Sequence, residues 1–348
     1  MPALLLLASC SQEQLNKLEP MPNAYGNVNS VVVVADEAMI ESAPGDTLMY
    51  FLEAAYPILP QPEPLFNVRV YSPVQVNSRR ERKQLRSYII VADMSAKESA
   101  AAAMVKRDLG EENVRRAIET KGYGTKIVKN RWADGQILVY VFGKDETSLL
   151  ENIQKSFPGI LQRINEHDSK QVKATAYFQG ENKGLQEEIF DSLGVKIELP
   201  KKYQKAAFDR DRNTYWLRFD YKEYIYNVLI HKEAYKDEKQ FTRENLIAMR
   251  DTIGQLVATE TPDSRMVVNY TDLPLYVKGA TVNGNFALEA KGIWEIENDF
   301  MGGPFVSYLI HNPNSDELVL VDGFLFGPGK KKRDAIQTLE NIIKTTSF

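Results

Sequence analysis

Three stretches near the C-terminus decide the fold: ALEAKGIWEIE at 287–297, FVSYLIH at 305–311 and LVLVDGFLF at 318–326. Each is rich in β-branched and aromatic residues, which suit a pleated, half-buried surface, and turns link each to the next. Consecutive strands joined in this way pair antiparallel. Working back from them, shorter strands are predicted at 195–199, 215–219 and 225–231. Helices are predicted at 185–193, ending on Gly194, at 241–257, and at 330–345, where Ala335, Ile336, Leu339, Ile342 and Ile343 share one face. An antiparallel sheet with helices packed against it makes the second half α+β.

The first half has another rhythm. Val31-Val32-Val33-Val34 reads as a strand covered on both faces, because four β-branched residues in succession leave no polar side. A helix at 47–56 is stopped by Pro57, Pro60, Pro62 and Pro64, and strands at 66–71 and 88–92 flank a basic helical stretch, 78–86. Beyond them a helix is predicted at 95–116 and a hairpin at 127–142 with Asp134-Gly135 at its turn. An amphipathic helix then runs through Ile153, Phe157, Ile160, Leu161 and Ile164, with Pro158 expected to kink or restart it. Strand and helix alternate, so this half is of α/β type. The loop-like GENKG at 180–184 marks the boundary between an N-terminal α/β domain, 31–180, and a C-terminal α+β domain, 181–348. The whole chain is predicted to be α+β with two domains.

Ahead of the first domain, Leu4 to Leu7 followed by Ala8-Ser9-Cys10 has the pattern of a bacterial lipoprotein signal. Residues 1–9 would be the signal peptide and Cys10, the one cysteine in the chain, the lipidated residue. The apolar run is too short to span a bilayer, which takes about 20 residues. Met1-Pro2-Ala3 lacks Lys and Arg, so the natural start is expected to lie upstream. Residues 10–30 mix polar groups with Pro and Gly and read as a tether. The expected partner is therefore a membrane, reached through the lipid on Cys10. Ser11 is not an acidic retention signal, so the expected location is the cell envelope, as an outer-membrane lipoprotein. With 43 basic and 47 acidic residues the net charge is −4, which leaves no large positive field to gather nucleic acid.

The string GIWEIENDFMGGPFVSY at 292–308, with VDGF at 321–324 and GPGKKKRD at 327–334, closely resembles a family of Bacteroidota lipoproteins known as domain of unknown function 4837. Weaker similarity runs upstream through LPQPEP at 59–64, KGLQ at 183–186 and YWLR at 215–218, so the resemblance covers nearly the whole mature chain. It implies an envelope lipoprotein and brings no known activity. The element order of the second half is also similar to small α/β/α sandwich modules of the PsbP and Mog kind, which bind proteins. Likeness of fold does not carry function.

Strand geometry sets Ile293, Glu295 and Glu297 on one face of the signature and Trp294, Ile296 and Asn298 on the other. Candidate binding residues are Trp294, Glu295, Glu297, Asn298, Asp299 and Phe300. The three carboxylates are also what an acid/base pair or a cation site would use. In the simpler reading a solvated strand face runs into a turn, where Asn298 and Asp299 bond the turn's own amides and Gly302 and Gly303 supply angles open to glycine alone. A second candidate group, Lys330, Lys331 and Arg333, sits where the last helix begins. Cations are unfavourable at that end, so a bound anion, a lipid headgroup or an acidic partner would account for them; the alternative is a solvated run ahead of the helix. It is no P-loop, since Lys331 stands where Ser or Thr must hold magnesium. His167, His231 and His311 lack metal spacing, and no Gly-x-Ser-x-Gly elbow or dinucleotide glycine pattern occurs. No catalytic residue, metal or cofactor is assigned. The expectation is a non-catalytic binding or assembly module for an envelope protein or glycan. The alternative is a carboxylate-dependent hydrolase acting on envelope glycan or peptide.

Overall fold

The structure, a computed structural model, describes residues 20–348. Cys10, the signal peptide and the first part of the tether lie outside the described residues. Contacts divide the chain into two units, one running up to Glu53 and resuming over Phe66–Asn165, the other formed by Ala54–Leu65 and Glu166–Phe348. The proline-rich stretch near 60 thus belongs with the C-terminal half, where the sequence reading left it in the first domain.

In the first unit, strands β1 (Ser30–Val34), β2 (Asn67–Tyr71), β3 (Ser87–Asp93), β4 (Tyr123–Lys129) and β5 (Ile137–Gly143) form one sheet in the order β2-β1-β3-β5-β4. All run parallel except β4, which pairs antiparallel with β5. The valine run of β1 is buried, as its composition requires, because helices cover the parallel sheet. Helices α1 (Glu37–Ile40), α2 (Ala43–Leu52), α3 (Pro73–Asn77), α4 (Ala100–Leu109) and α5 (Glu111–Lys121) lie between the strands. The helix predicted at 95–116 is two, because Gly110 at φ +86° ends α4 and opens α5. The basic stretch 78–86 holds only a short 3₁₀ turn, Arg80–Gln84. Helix α6 (Glu146–Ala176) continues through Pro158 without a break, its stripe of Ile153, Phe157, Ile160 and Ile164 buried. The tether is shorter than predicted: from Pro22 the chain is already docked, Asp134 N donating to Pro22 O at 2.8 Å.

The second unit holds α7 (Lys183–Leu193), strands β6 (Gln204–Asp209), β7 (Thr214–Tyr221) and β8 (Tyr224–Ala234), and helix α8 (Arg243–Gly254). After these come β9 (Arg265–Asn269), β10 (Tyr276–Val282), β11 (Asn285–Glu297), β12 (Gly302–Asn312), β13 (Glu317–Phe326) and α9 (Arg333–Ile343). The eight strands form one antiparallel sheet, seven in the order β10-β11-β12-β13-β8-β7-β6 and β9 paired with β11 off that path. Strand β11 is long enough to seat β10 along 285–291 and β9 along 293–297. Both faces are buried at the centre: Val319 and Val321 of β13 pack with α9, while Leu318, Leu320 and Phe324 pack with α8. The predicted strand 195–199 makes only an isolated bridge, Lys196 to Ser347, though Val195, Ile197 and Leu199 are buried. Strands β6, β9 and β10 were not predicted; all are short or rich in polar residues.

Candidate functional site

Alternation along β11 places Glu289, Lys291, Ile293, Glu295 and Glu297 on one face. Helix α9 covers the first two, since its Glu340 accepts from Lys291 Nζ at 2.8 Å, and the last two lie beyond it. At this bare end Glu297 stands opposite Arg265 of β9 in the ladder and takes its Nε at 2.5 Å. Glu295 Oε2 accepts from Asn269 Nδ2 at 2.8 Å. The strand then turns through Asn298, whose φ of +66° is one that asparagine tolerates better than most residues. Asp299 Oδ1 accepts from the Phe300 amide at 2.7 Å and Oδ2 from Thr261 Oγ1 at 3.2 Å. Phe300 is left fully exposed.

These residues line an open cleft of about 740 Å³ walled by Glu295, Ile296, Glu297, Asn298, Asp299 and Phe300. Arg265, by its hydrogen bond, holds Glu297 below the usual carboxylate range. Hydrogen bonds from Thr259 and from the Phe300 amide do the same for Asp299. Both are therefore ionised near neutral pH, whereas a general acid must keep its proton there. The nearby carboxyl that burial pushes up, Asp251 of α8, accepts from Val268 N at 2.9 Å and is not among the cleft's walls. Among the described residues no group of His, Cys, Asp and Glu could hold a metal ion.

Two predicted site residues fall elsewhere. Trp294 is 2% exposed: its Nε1 donates to Leu325 O at 3.3 Å and its ring meets Phe324 edge-on, so it belongs to the core beneath α8 and not to a surface patch. Arg333 is 3% exposed, with Nη1 donating to Pro64 O at 2.5 Å. The anion that the basic run called for is internal. Glu63, on the proline-rich stretch, accepts from the amides of Lys332 and Arg333 at the start of α9, and it is itself buried. Lys330 pairs with Glu223 at 3.1 Å and Lys331 is exposed, so the run is neither a solvated face nor a single binding patch. Gly302 and Gly303 have ordinary φ. They are needed for closeness, since a Cβ on Gly303 would lie 2.1 Å from Leu325 O.

Two buried polar clusters escaped the sequence reading. Beneath α9, the Tyr308 hydroxyl lies 2.5 Å from Glu289 Oε2 and 3.1 Å from Glu340 Oε1, and Lys344 Nζ reaches Glu340 at 2.6 Å. Burial alone would raise Glu340, but Lys291 and Lys344 outweigh it and hold this carboxyl at about 2. Burial would likewise lower Lys291, yet Glu340 keeps it above its ordinary value. On the opposite face Arg250 of α8 donates to Asp322 of β13 at 3.0 Å with both side chains fully buried, and Ser307 also bonds Asp322. The signals were present: Glu340 sits within the apolar stripe Ile336, Leu339, Ile343, and Asp322 interrupts an otherwise apolar strand.

Residues 182–345 match the family described as Domain of unknown function (DUF4837), and residues 24–177 match Domain of unknown function (DUF8532). The C-terminal half of the chain is a DUF4837 domain. The cleft, both buried clusters and all of α9 lie within it, while the N-terminal unit matches a different family, which the resemblance running through both halves did not separate. No curated protein matches the chain. Among solved structures the chain is similar to the Saccharomyces cerevisiae Ran-binding protein Mog1p, at 11% identity over 44% of this chain and 89% of that one, with a TM-score of 0.28. It is also similar to LpqN of Mycobacterium tuberculosis, described as involved in cell envelope biogenesis, at 8% identity over 44% of this chain and 82% of that one, TM-score 0.26. At such scores neither likeness bears on the function of the DUF4837 domain.

Proposed function

We propose that this chain is a lipid-anchored, non-catalytic binding protein of the bacterial cell envelope, held at the outer membrane through Cys10. Its DUF4837 domain takes an envelope protein or glycan at the cleft beside Phe300. The observation that carries the reading is the state of the cleft's carboxylates. Glu295, Glu297 and Asp299 are engaged by Asn269, Arg265 and Thr261, and the latter two carboxylates are held in the ionised form. Such a wall offers fixed negative charge and hydrogen-bond acceptors next to an exposed aromatic ring, which suits recognition better than proton transfer. The hydrolase alternative draws on the same three carboxylates lining one cleft, but Glu297 and Asp299, held ionised by their partners, are ill suited to serve as its acid.

The test is pull-down of tagged, lipidated protein from solubilised envelopes, with Phe300→Ala beside it. A reproducible partner recovered by the natural chain and lost with Phe300→Ala supports the reading, and its loss from neither or recovery of none counts against it. If Glu295→Gln and Glu297→Gln abolish hydrolysis of an envelope substrate, the enzyme reading replaces it. Anchoring is tested separately, by incorporation of labelled palmitate and its loss in Cys10→Ser.

A further inference from the structure

The strands β1, β3 and β5 run parallel, so the segments leading into them gather at one pole of the first unit's sheet. The contacts between those segments confirm the gathering. Ala24 N donates to Asp134 O at 2.7 Å, Tyr25 N to Gln84 O at 2.8 Å, and the Tyr25 hydroxyl to Glu81 O at 3.0 Å. The segment before β3 is SRRERKQLR at 78–86, with five cations, Arg79, Arg80, Arg82, Lys83 and Arg86, against one carboxylate, Glu81. Strand β4 is antiparallel and ends at the same pole, adding exposed Lys129, and the loop after it carries Asp134 and Arg131, the latter paired with buried Asp108 at 2.9 Å. In a chain of net charge −4 this is a local concentration of the opposite sign.

The backbone of the basic segment is fixed. Gln136 Nε2 donates to the carbonyls of Lys83 and Leu85 at 2.6 and 2.7 Å, and the Tyr88 hydroxyl donates to that of Arg82. Arg82 is itself engaged, donating to Gln75 O at 2.8 Å and lying 4.6 Å over the Tyr71 ring. Arg79 is exposed and Lys83 half-buried at the rim. Met21 and Tyr25 stand exposed alongside, so cations and apolar side chains share the surface.

We infer that this pole of the first unit is a membrane-contacting face that binds anionic lipid headgroups. Two features of the chain select a bilayer as the occupant. The charge and the exposed Met21 and Tyr25 side chains complement phosphate headgroups above an acyl layer, each juxtaposed cation strengthening the attachment about fivefold, the equivalent of about 1 kcal/mol. The chain also enters the fold here. The residues between Cys10 and Pro22 can span at most about 40 Å, so a lipid on Cys10 keeps this pole within that distance of the surface. The inference rests on the anchoring reading for the choice of bilayer, while headgroup binding itself is measurable without any acyl chain.

The experiment is co-sedimentation of the full chain carrying Cys10→Ser with phosphatidylcholine vesicles, with and without phosphatidylglycerol. Binding should appear only with the anionic lipid and weaken as salt is raised. The pair Arg79→Glu, Lys83→Glu should weaken it at least about 25-fold with an unchanged thermal midpoint, and Lys330→Glu, Lys331→Glu should leave it unaltered. Equal binding to both vesicles, no binding to either, or indifference to the first pair would overturn the inference. So would binding to polyglutamate but not to vesicles, which would assign the face to an acidic protein. Palmitate incorporation at Cys10 is scored independently, so an anchored protein that fails to sediment refutes this face and leaves the anchor standing.

Discussion

The two ends of the β11 face carry the same kind of residue to opposite ends. At one end Glu289 and Lys291 lie beneath α9, joined with Tyr308 and Glu340, and Lys278 and Lys344 reach in to them from the surface. At the other, Glu295 and Glu297 meet water beside an exposed phenylalanine. An alternating charged pattern therefore has no meaning until what covers it is known. Covered charges lock an element in place, because any one of them left alone in the interior is costly. Uncovered charges cost little to hold and are free to meet a partner.

This contrast can be broken by mutation, and the largest effect belongs to the most deeply buried pair. Arg250→Ala leaves buried Asp322 without its guanidinium partner and with only the Ser307 hydroxyl, and should cost about 3–5 kcal/mol in urea unfolding, whereas Arg250→Met with Asp322→Leu should recover most of that loss. Beneath α9, Glu340→Ala leaves Lys291 only the more distant Glu289, at 3.7 Å, and should cost about 2–3 kcal/mol. The pH dependence has a definite sign. Glu340 is held at about 2 against an ordinary 4.5, so its contribution is complete above about 4.5 and is lost as pH falls from there through 2. Thermal midpoints of Glu340→Gln across that window should fall less steeply with acid than those of the natural chain. Lys291 is raised, so its contribution is complete below its ordinary value of 10.5 and is lost only as pH rises through a higher one.

Smaller again is the cap on α9. Glu63→Ala removes the acceptor of two first-turn amides and should cost about 1–2 kcal/mol by denaturant midpoint. Smallest is the open end, where Phe300→Ala should change stability by less than about 0.5 kcal/mol while abolishing partner recovery. A large stability loss there would erase the distinction between the two ends.

Much of the fold was legible in the sequence because periodicity reports burial. The valine run of β1, the hairpin of β4 and β5, the three long C-terminal strands and the apolar stripe of α9 all show it. What escaped was set by distant partners. Nothing near Arg333 announces that Glu63, some 270 positions earlier, will cap its helix. Strands such as β10, YVKGATV, pair along a neighbour's edge without needing a buried face of their own, so composition barely marks them. The sequence set Trp294 on the strand face opposite Glu295 and Glu297, yet its place among the candidate binding residues fails, because that opposite face is the one packed beneath α8.

Partner recovery and thermal midpoint measured together for the natural chain and Phe300→Ala test the central claim most directly. The account predicts a reproducible envelope partner that disappears with the phenyl ring while the midpoint stays where it was. Undiminished recovery by the variant, or a partner lost only in step with a collapsing midpoint, would contradict it.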